Sequence, residues 1–396
     1  MPPIGRRAVL KLAVGSAALA ALPWTPGRAL AAGNAAMTAQ DALLSLKFDR
    51  SMRTRVAYRG KSLTPFQASE VLLLKDGSAI DAFAFDGEER QPVTDTRHGA
   101  GLRHVFTGLS KQGIEKQVAV TFFEQSPGLA LMQVRYRNTG TQPIEVAGWR
   151  STAHELADAP GGFWSFSGTT HEDRRDWVQA LGDDFDQRNT LGMDASDYGG
   201  GTPVANIWRR DVGLAVGHVE PVPRTLDLPV RKTGKGASIA VEGVQAVTLA
   251  PGQALSTERT FLSAHTGDHF APLALYRDFM RAEGIAAPQA PPSAFESTWC
   301  AWGYERDFTV AQILATLPKV REVGFQWAVL DDGWQTNEGD WQIDRRKFPR
   351  GDEDMRAFVK AVRAEGLRPR LWLAPLAADP GSEVLYKHSD MLLLDE

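Results

Sequence analysis

A chain of 396 residues is longer than one ordinary hydrophobic core supports, so two domains are expected. With 43% hydrophobic and 23% charged residues and a formal net charge of −4, it has the composition of a soluble globular protein and no basic excess to draw nucleic acid. It has no zinc-type Cys/His spacing, no HExxH and no Walker loop, so no metal or other cofactor is expected, and its single cysteine, Cys300, excludes an internal disulfide.

Residues 1–32 read as an export signal rather than as fold. The stretch GRRAVLK (residues 5–11) carries paired arginines, an apolar run follows as far as Leu22, and Ala29-Leu30-Ala31 supplies the small-residue cleavage site. This is the plan of a twin-arginine signal, with Gly5 and Val9 in place of the preferred Ser/Thr and Phe; a plain Sec signal is the alternative. The apolar run is too short and too rich in Ala and Gly for a membrane span. The mature protein is therefore expected in the periplasm or outside the cell, with no membrane partner once the signal is removed.

Residues 35–285 read as strands. In VAVTFFEQSPGLALMQVRYRNTG (residues 118–140), Ser126-Pro127-Gly128 is turn chemistry between two β-rich runs. Ala130, Met132, Val134 and Tyr136 share one face, and Gln133, Arg135 and Arg137 share the other, so one face is buried and one is wet. Residues 144–146, 213–219 and 238–249 repeat the style, and many short strands with polar turns make a large antiparallel sandwich. Residues 171–203, rich in Asp and Gly, read as a long polar loop, and residues 273–283 as a helix. The segment AAPQAPPSA opens a proline-stiffened linker over residues 286–296.

Beyond it, over residues 297–396, the period changes. Residues 295–302, 325–330 and 367–373 read as strands. Residues 309–323 and 355–364 read as amphipathic helices, the first capped by Thr309 and expected to kink or break at Pro318. Alternating strand and helix is the signal of a parallel sheet. The strand ends carry the chemistry: Trp302 after the first, Asp331-Asp332-Gly333-Trp334 after the second, Trp372 after the third. Six of the eleven tryptophans lie at or after residue 299, concentrating indoles where ligands bind in such folds. Indole faces stack on apolar sugar faces, and carboxylates accept from hydroxyls. Trp327 reads as core, Trp299 as either core or site, and Trp334 and Trp341 are also available simply to pack the loop. Gln335 reads as a bystander.

The run VLDDGWQTNEGDWQIDRRKFPRG (residues 329–351), the later GLRPRLWLAP (residues 366–375) and the earlier TWCAWGYE resemble the α-galactosidase (melibiase) branch of glycoside hydrolase family thirty-six over residues 297–390. The resemblance implies a β-sandwich followed by a TIM (β/α)8 barrel, and a retaining hydrolase of terminal α-galactosides. It implies that Asp331 and Asp332 bind the galactose hydroxyls, including the axial one, with Trp302 and Trp372, and Trp334 beside them, in the same subsite. Two departures stand out. The family's Trp-Phe-Glu-Pro-Glu stretch is here Trp372-Leu373-Ala374-Pro375-Leu376, without either glutamate. The nucleophile's Lys-Trp-Asp motif is absent, and Asp395 and Glu396 do not match it.

A barrel takes about 250 residues, and 100 follow Glu296. The expectation is therefore an amino-terminal portion holding the sugar-binding half of the site, with no catalytic residue assigned within it and with Glu305, Asp340 and Asp344 as fallback carboxylates. The expected partner is an oligosaccharide or glycoside; a homo-oligomer is compatible. Two alternatives stand beside this: another retaining α-glycosidase or transglycosylase of the superfamily, and a secreted carbohydrate-binding protein without catalysis.

Overall fold

The computed structural model describes residues 37–158, 161–169, 177–191, 201–222, 224–285 and 288–391. The export signal, Asp395 and Glu396, and much of the polar loop at residues 171–203 lie outside them. The chain divides into two compact units, Met1–Ala286 and Ala287–Glu396.

The first unit is built of antiparallel sheet. A four-stranded meander runs through Met37–Gln40, Leu44–Phe48, Thr54–Tyr58 and Lys61–Ser62. A ten-stranded sheet has Leu129–Asn138 near its middle, paired with Ile114–Phe123 on one side and Thr260–His265 on the other. An eight-stranded sheet centres on the long strands Ile144–Ala157 and Gly236–Leu249. One continuous apolar core draws on all three sheets. Ala130, Met132, Val134 and Tyr136 are fully buried in it, while Gln133 and Arg135 are half-buried and Arg137 is exposed, as the alternation requires. The hairpin turns where expected, with Gly128 at φ +84° and its N–H donating to Asp41 Oδ2.

Glu70 and Lys116 cross this core between the two larger sheets. Lys116 Nζ donates to the Glu70 carbonyl at 3.0 Å and sits 4.0 Å above the Phe83 ring. Glu70 Oε1 accepts the Thr152 N–H at 3.0 Å. Burial pushes the Glu70 carboxyl up to about 7 and the Lys116 ammonium down.

The polar loop expected over residues 171–203 is in part sheet. Val178–Ala180, Asp186–Gln187 and Thr190–Leu191 are short strands, and Gly201–Trp208 begins within it. The first three runs are too short for alternation to mark them, and two of them, Asp186–Gln187 and Thr190–Leu191, find their partners about forty residues on, at Val230–Arg231 and Leu226–Asp227. The helix Phe270–Ala282 closes the unit by laying Phe279 and Met280 against Phe123 and Phe261.

The second unit holds a parallel three-stranded sheet, Thr298–Cys300, Trp327–Leu330 and Arg368–Leu371, in that order. Helix Val310–Glu322 connects the first two strands and Asp352–Ala364 the second pair. The strands are shorter than their apolar runs. Residues on both sides of the first become 3-10 turns, Pro292–Phe295 and Ala301–Tyr304. Helix Val310–Glu322 runs unbroken through Pro318, so of the kink or break expected there the break does not occur. The lost N–H removes one hydrogen bond, whereas Ile313, Leu317 and Val320 stay buried on one face and hold the helix down. Among the described residues, the architecture is a large antiparallel β-sandwich followed by the opening strands of a (β/α) barrel.

Candidate active site

Strand Trp327–Leu330 is buried along Ala328, Val329 and Leu330 and delivers Asp331 and Asp332 at its carboxyl end. The two are only 8% and 7% exposed. A carboxylate that dry needs donors, and each oxygen has one. Asp331 Oδ1 accepts the Asp332 N–H at 2.7 Å, and Oδ2 accepts the Cys300 thiol from the end of the first strand. Asp332 Oδ1 accepts Gln335 Nε2 at 2.7 Å, and Oδ2 accepts Arg306 Nε at 2.5 Å. Each oxygen keeps a second lone pair for an incoming donor. Partial burial and the Asp331 bond together push the Cys300 thiol up, so it remains a protonated donor. The bond to Asp332 holds the Arg306 guanidinium further in its charged form.

Gly333 makes the turn after the pair. Its φ is +96°, and a Cβ there would meet the Arg306 carbonyl oxygen at 2.8 Å, so only glycine fits. Gln335 closes the turn by accepting the Gly333 N–H at 3.1 Å. In the structure Gln335 is not idle: its amide bridges the turn and the second aspartate. Lys347 ties the two strand-end loops together by donating to the carbonyls of Arg306 and Gly333. Burial pushes its ammonium down.

The indoles divide by role. Trp334 is 5% exposed, and its Nε1 donates to the Trp372 carbonyl at 2.9 Å. Its ring stacks on Trp341 at 6.3 Å, and Trp341 meets Trp372 edge-on at 5.9 Å. Trp334 thus spends its polar atom and its faces on packing the loop, the second of the two uses open to it, and Trp372, half-buried, is the member of this group with surface to offer. Trp302, on the turn Ala301–Tyr304, is 47% exposed; among the described residues no ring contact joins it to the other indoles. Trp327 lies half-buried at the far end of its strand, its Nε1 on Glu296 at 2.8 Å.

Two of the three fallback carboxylates have structural work. Asp340 accepts the N–H groups of Glu383 and Val384 at the start of a short helix. Asp344 is forked by Arg346, which holds its carboxyl below the usual range. Glu305 is exposed, at φ +55°. Sequence reasoning missed Cys300, Arg306, Gln335 and Lys347 as builders of this site; none carries a local signal. Beside Asp332 opens a cleft of about 360 Å³, lined by Arg306, Gln335, Asn337, Asp344 and Lys347 among others, within the range of small-ligand sites. Among the described residues no group of three or more His, Cys, Asp or Glu could hold a metal ion.

Residues 276–396 match the melibiase family. The "A type blood alpha-D-galactosamine galactosaminidase" of Flavonifractor plautii is 24% identical over 325 residues, which are 81% of this chain and 30% of that protein. "Alpha-galactosidase 1" of Pediococcus pentosaceus is 35% identical over 94 residues, 22% of this chain and 12% of its own length. The chain thus spans less than a third of the length of these relatives. The crystal structure of an α-galactosidase from Lactobacillus brevis is similar with a TM-score of 0.52 at 17% identity, over 89% of this chain and 56% of that one. A GH36 α-galactosidase AgaA variant from Geobacillus stearothermophilus, in complex with stachyose, gives 0.51 at 16% identity, over 90% and 58%. At these identities the structural likeness shows the fold.

Proposed function

From the melibiase segment at residues 276–396, which makes this chain an α-galactosidase-like relative of glycoside hydrolase family 36, we propose that Asp331 and Asp332 hold the hydroxyls of a terminal α-galactoside for a retaining hydrolase. The observation that carries this is the pair itself: two buried carboxylates, side by side, each oxygen fixed by one protein donor and left with one lone pair. Trp372 and Trp302 supply the apolar surface for a sugar face. A retaining mechanism needs a nucleophile and an acid/base about 5–5.5 Å apart. In this reading Asp331 and Asp332 bind the sugar, and neither is assigned as nucleophile or acid/base. Export through residues 1–32 belongs to the same reading; a mature amino terminus just past the Ala29-Leu30-Ala31 site, recovered from the periplasm, is the expected product, and retention of the uncleaved chain in the cytoplasm would sink it.

A second reading concerns the sugar. The relative that spans most of the chain is named for α-D-galactosamine, which shares galactose's axial 4-hydroxyl and differs at C2. Calorimetric titration with methyl α-D-galactoside, its galactosaminide and its glucoside separates the cases. Binding of both galacto sugars and rejection of the glucoside are expected, with Asp331→Asn and Asp332→Asn each weakening binding about ten- to hundredfold, the worth of one bond to a charged group. Equal affinity for galactoside and glucoside, or wild-type affinity in both variants, would remove the pair from sugar recognition.

A further inference from the structure

Arg306 is held in place more thoroughly than a surface arginine requires. Its Nε donates to Asp332 Oδ2 at 2.5 Å, and its Nη2 lies 3.6 Å from Glu338 Oε1. The pair is asymmetric: the Arg306 side chain is 56% exposed and that of Asp332 10%. A fully exposed pair would be loose and screened, whereas here a wet cation reaches in to a dry anion. The backbone beneath it is fixed from three sides. Glu305 takes φ +55°, which long side chains seldom adopt. Lys347 Nζ donates to the Arg306 carbonyl and, at 2.8 Å, to that of Gly333, with the Phe308 ring 4.0 Å away. Gly333 lacks the side chain that would push the Arg306 backbone off.

We propose that Arg306 is a positioning residue for sugar recognition. It occupies one lone pair of Asp332 Oδ2 while Gln335 occupies one of Oδ1, and the carboxylate plane is thereby fixed with its remaining lone pairs set for two sugar hydroxyls. Arg306 acts through Asp332 and needs no contact with the sugar. The inference rests on the reading of Asp331 and Asp332 as the sugar-holding pair.

A double-mutant cycle on the full chain, with methyl α-D-galactoside titrated calorimetrically, tests it. Arg306→Ala is expected to weaken binding about tenfold, and Arg306→Lys less, because charge is kept but the directed Nε–H is lost. In the Asp332→Asn background Arg306→Ala should cost nothing further, whereas in Asp331→Asn the tenfold loss should persist. Guanidinium ion, well below denaturing concentration, should restore part of the affinity of Arg306→Ala and of no other variant. Wild-type affinity in Arg306→Ala, an undiminished loss on top of Asp332→Asn, or no rescue overturns the role of Arg306. Wild-type affinity in Asp332→Asn itself faults the sugar reading instead, and the inference goes with it.

Discussion

At the scale of single residues, Gly333 shows how little freedom the site leaves. Alanine there meets two obstacles: a φ of +96°, and backbone atoms of Arg306 at 2.8 and 3.0 Å from the new Cβ. The nearest of these are backbone and do not swing aside as a side-chain tip would. Strain in that region alone costs about 1–2 kcal/mol, and moving Arg306 adds the loosening of its bond to Asp332. Gly333→Ala is expected to destabilise the second unit by at least about 2 kcal/mol in urea unfolding and to abolish detectable galactoside binding. Unchanged stability and binding would mean that the two strand-end loops are free to part. The aspartate pair could be read from sequence because two adjacent carboxylates after an apolar strand are chemically odd. Gln335 could not: an amide in a polar loop looks like any other until its two ends are seen to bridge Gly333 N and Asp332 Oδ1.

At the scale of elements, helix Val310–Glu322 sets where the second strand begins, and its start is well defined. Thr309 Oγ1 accepts the Gln312 N–H at 3.2 Å while Gln312 Oε1 accepts the Thr309 N–H at 2.8 Å, a reciprocal capping box. Losing the hydroxyl leaves an orphan donor at the first turn, so Thr309→Ala should cost about 1 kcal/mol of stability, and Thr309→Ser should recover most of it. Equal melting temperatures for the alanine variant and wild type would show the cap to be idle. Thr309 was legible as a cap because capping is local. The continuity of the helix through Pro318 was not, because it depends on what Ile313, Leu317 and Val320 pack against.

At the scale of the whole molecule, buried titratable groups couple the sandwich's stability to pH. Burial pushes His154 down to about 3, and His218 and His265 to about 4. Their folded values lie below the unfolded 6.5, so as pH falls past 6.5 the unfolded chain takes up protons that the folded chain refuses, and stability drops until about pH 3–4. One unit below 6.5, each histidine costs roughly 1.4 kcal/mol, about 4 for the three. Glu70 opposes this. Its folded value of about 7 lies above the unfolded 4.5, so between those values the folded chain holds the extra proton, and acidification stabilises it by about 2 kcal/mol between pH 7.5 and 5.5. The net expectation is a loss of stability across that interval, from urea unfolding of the sandwich, because three imidazoles outweigh one carboxyl. Glu70→Gln should deepen the loss by removing the opposing carboxyl. Stability of Glu70→Gln that is flat or rises on acidification would contradict the burial of these imidazoles.

What the sequence determined by itself is whatever depends on neighbours in the chain. Alternation at Ala130, Met132, Val134 and Tyr136 fixes a strand's buried face, because successive side chains point to opposite sides wherever that strand is placed. The change of period after the linker marks the passage to a parallel sheet, and the carboxyl end of an apolar strand is where the aspartate pair had to stand. Tertiary structure decided which groups complete the pair. Cys300 reaches Asp331 across 31 positions, Arg306 reaches Asp332 across 26, and Lys347 spans 41 to the Arg306 carbonyl. These contacts exist because parallel pairing sets the first strand beside the second, Cys300 opposite Val329, and so brings their end loops together. Pairing register is a property of two segments at once, and a hydrogen bond of about 3 Å reach is decided only when both have been placed.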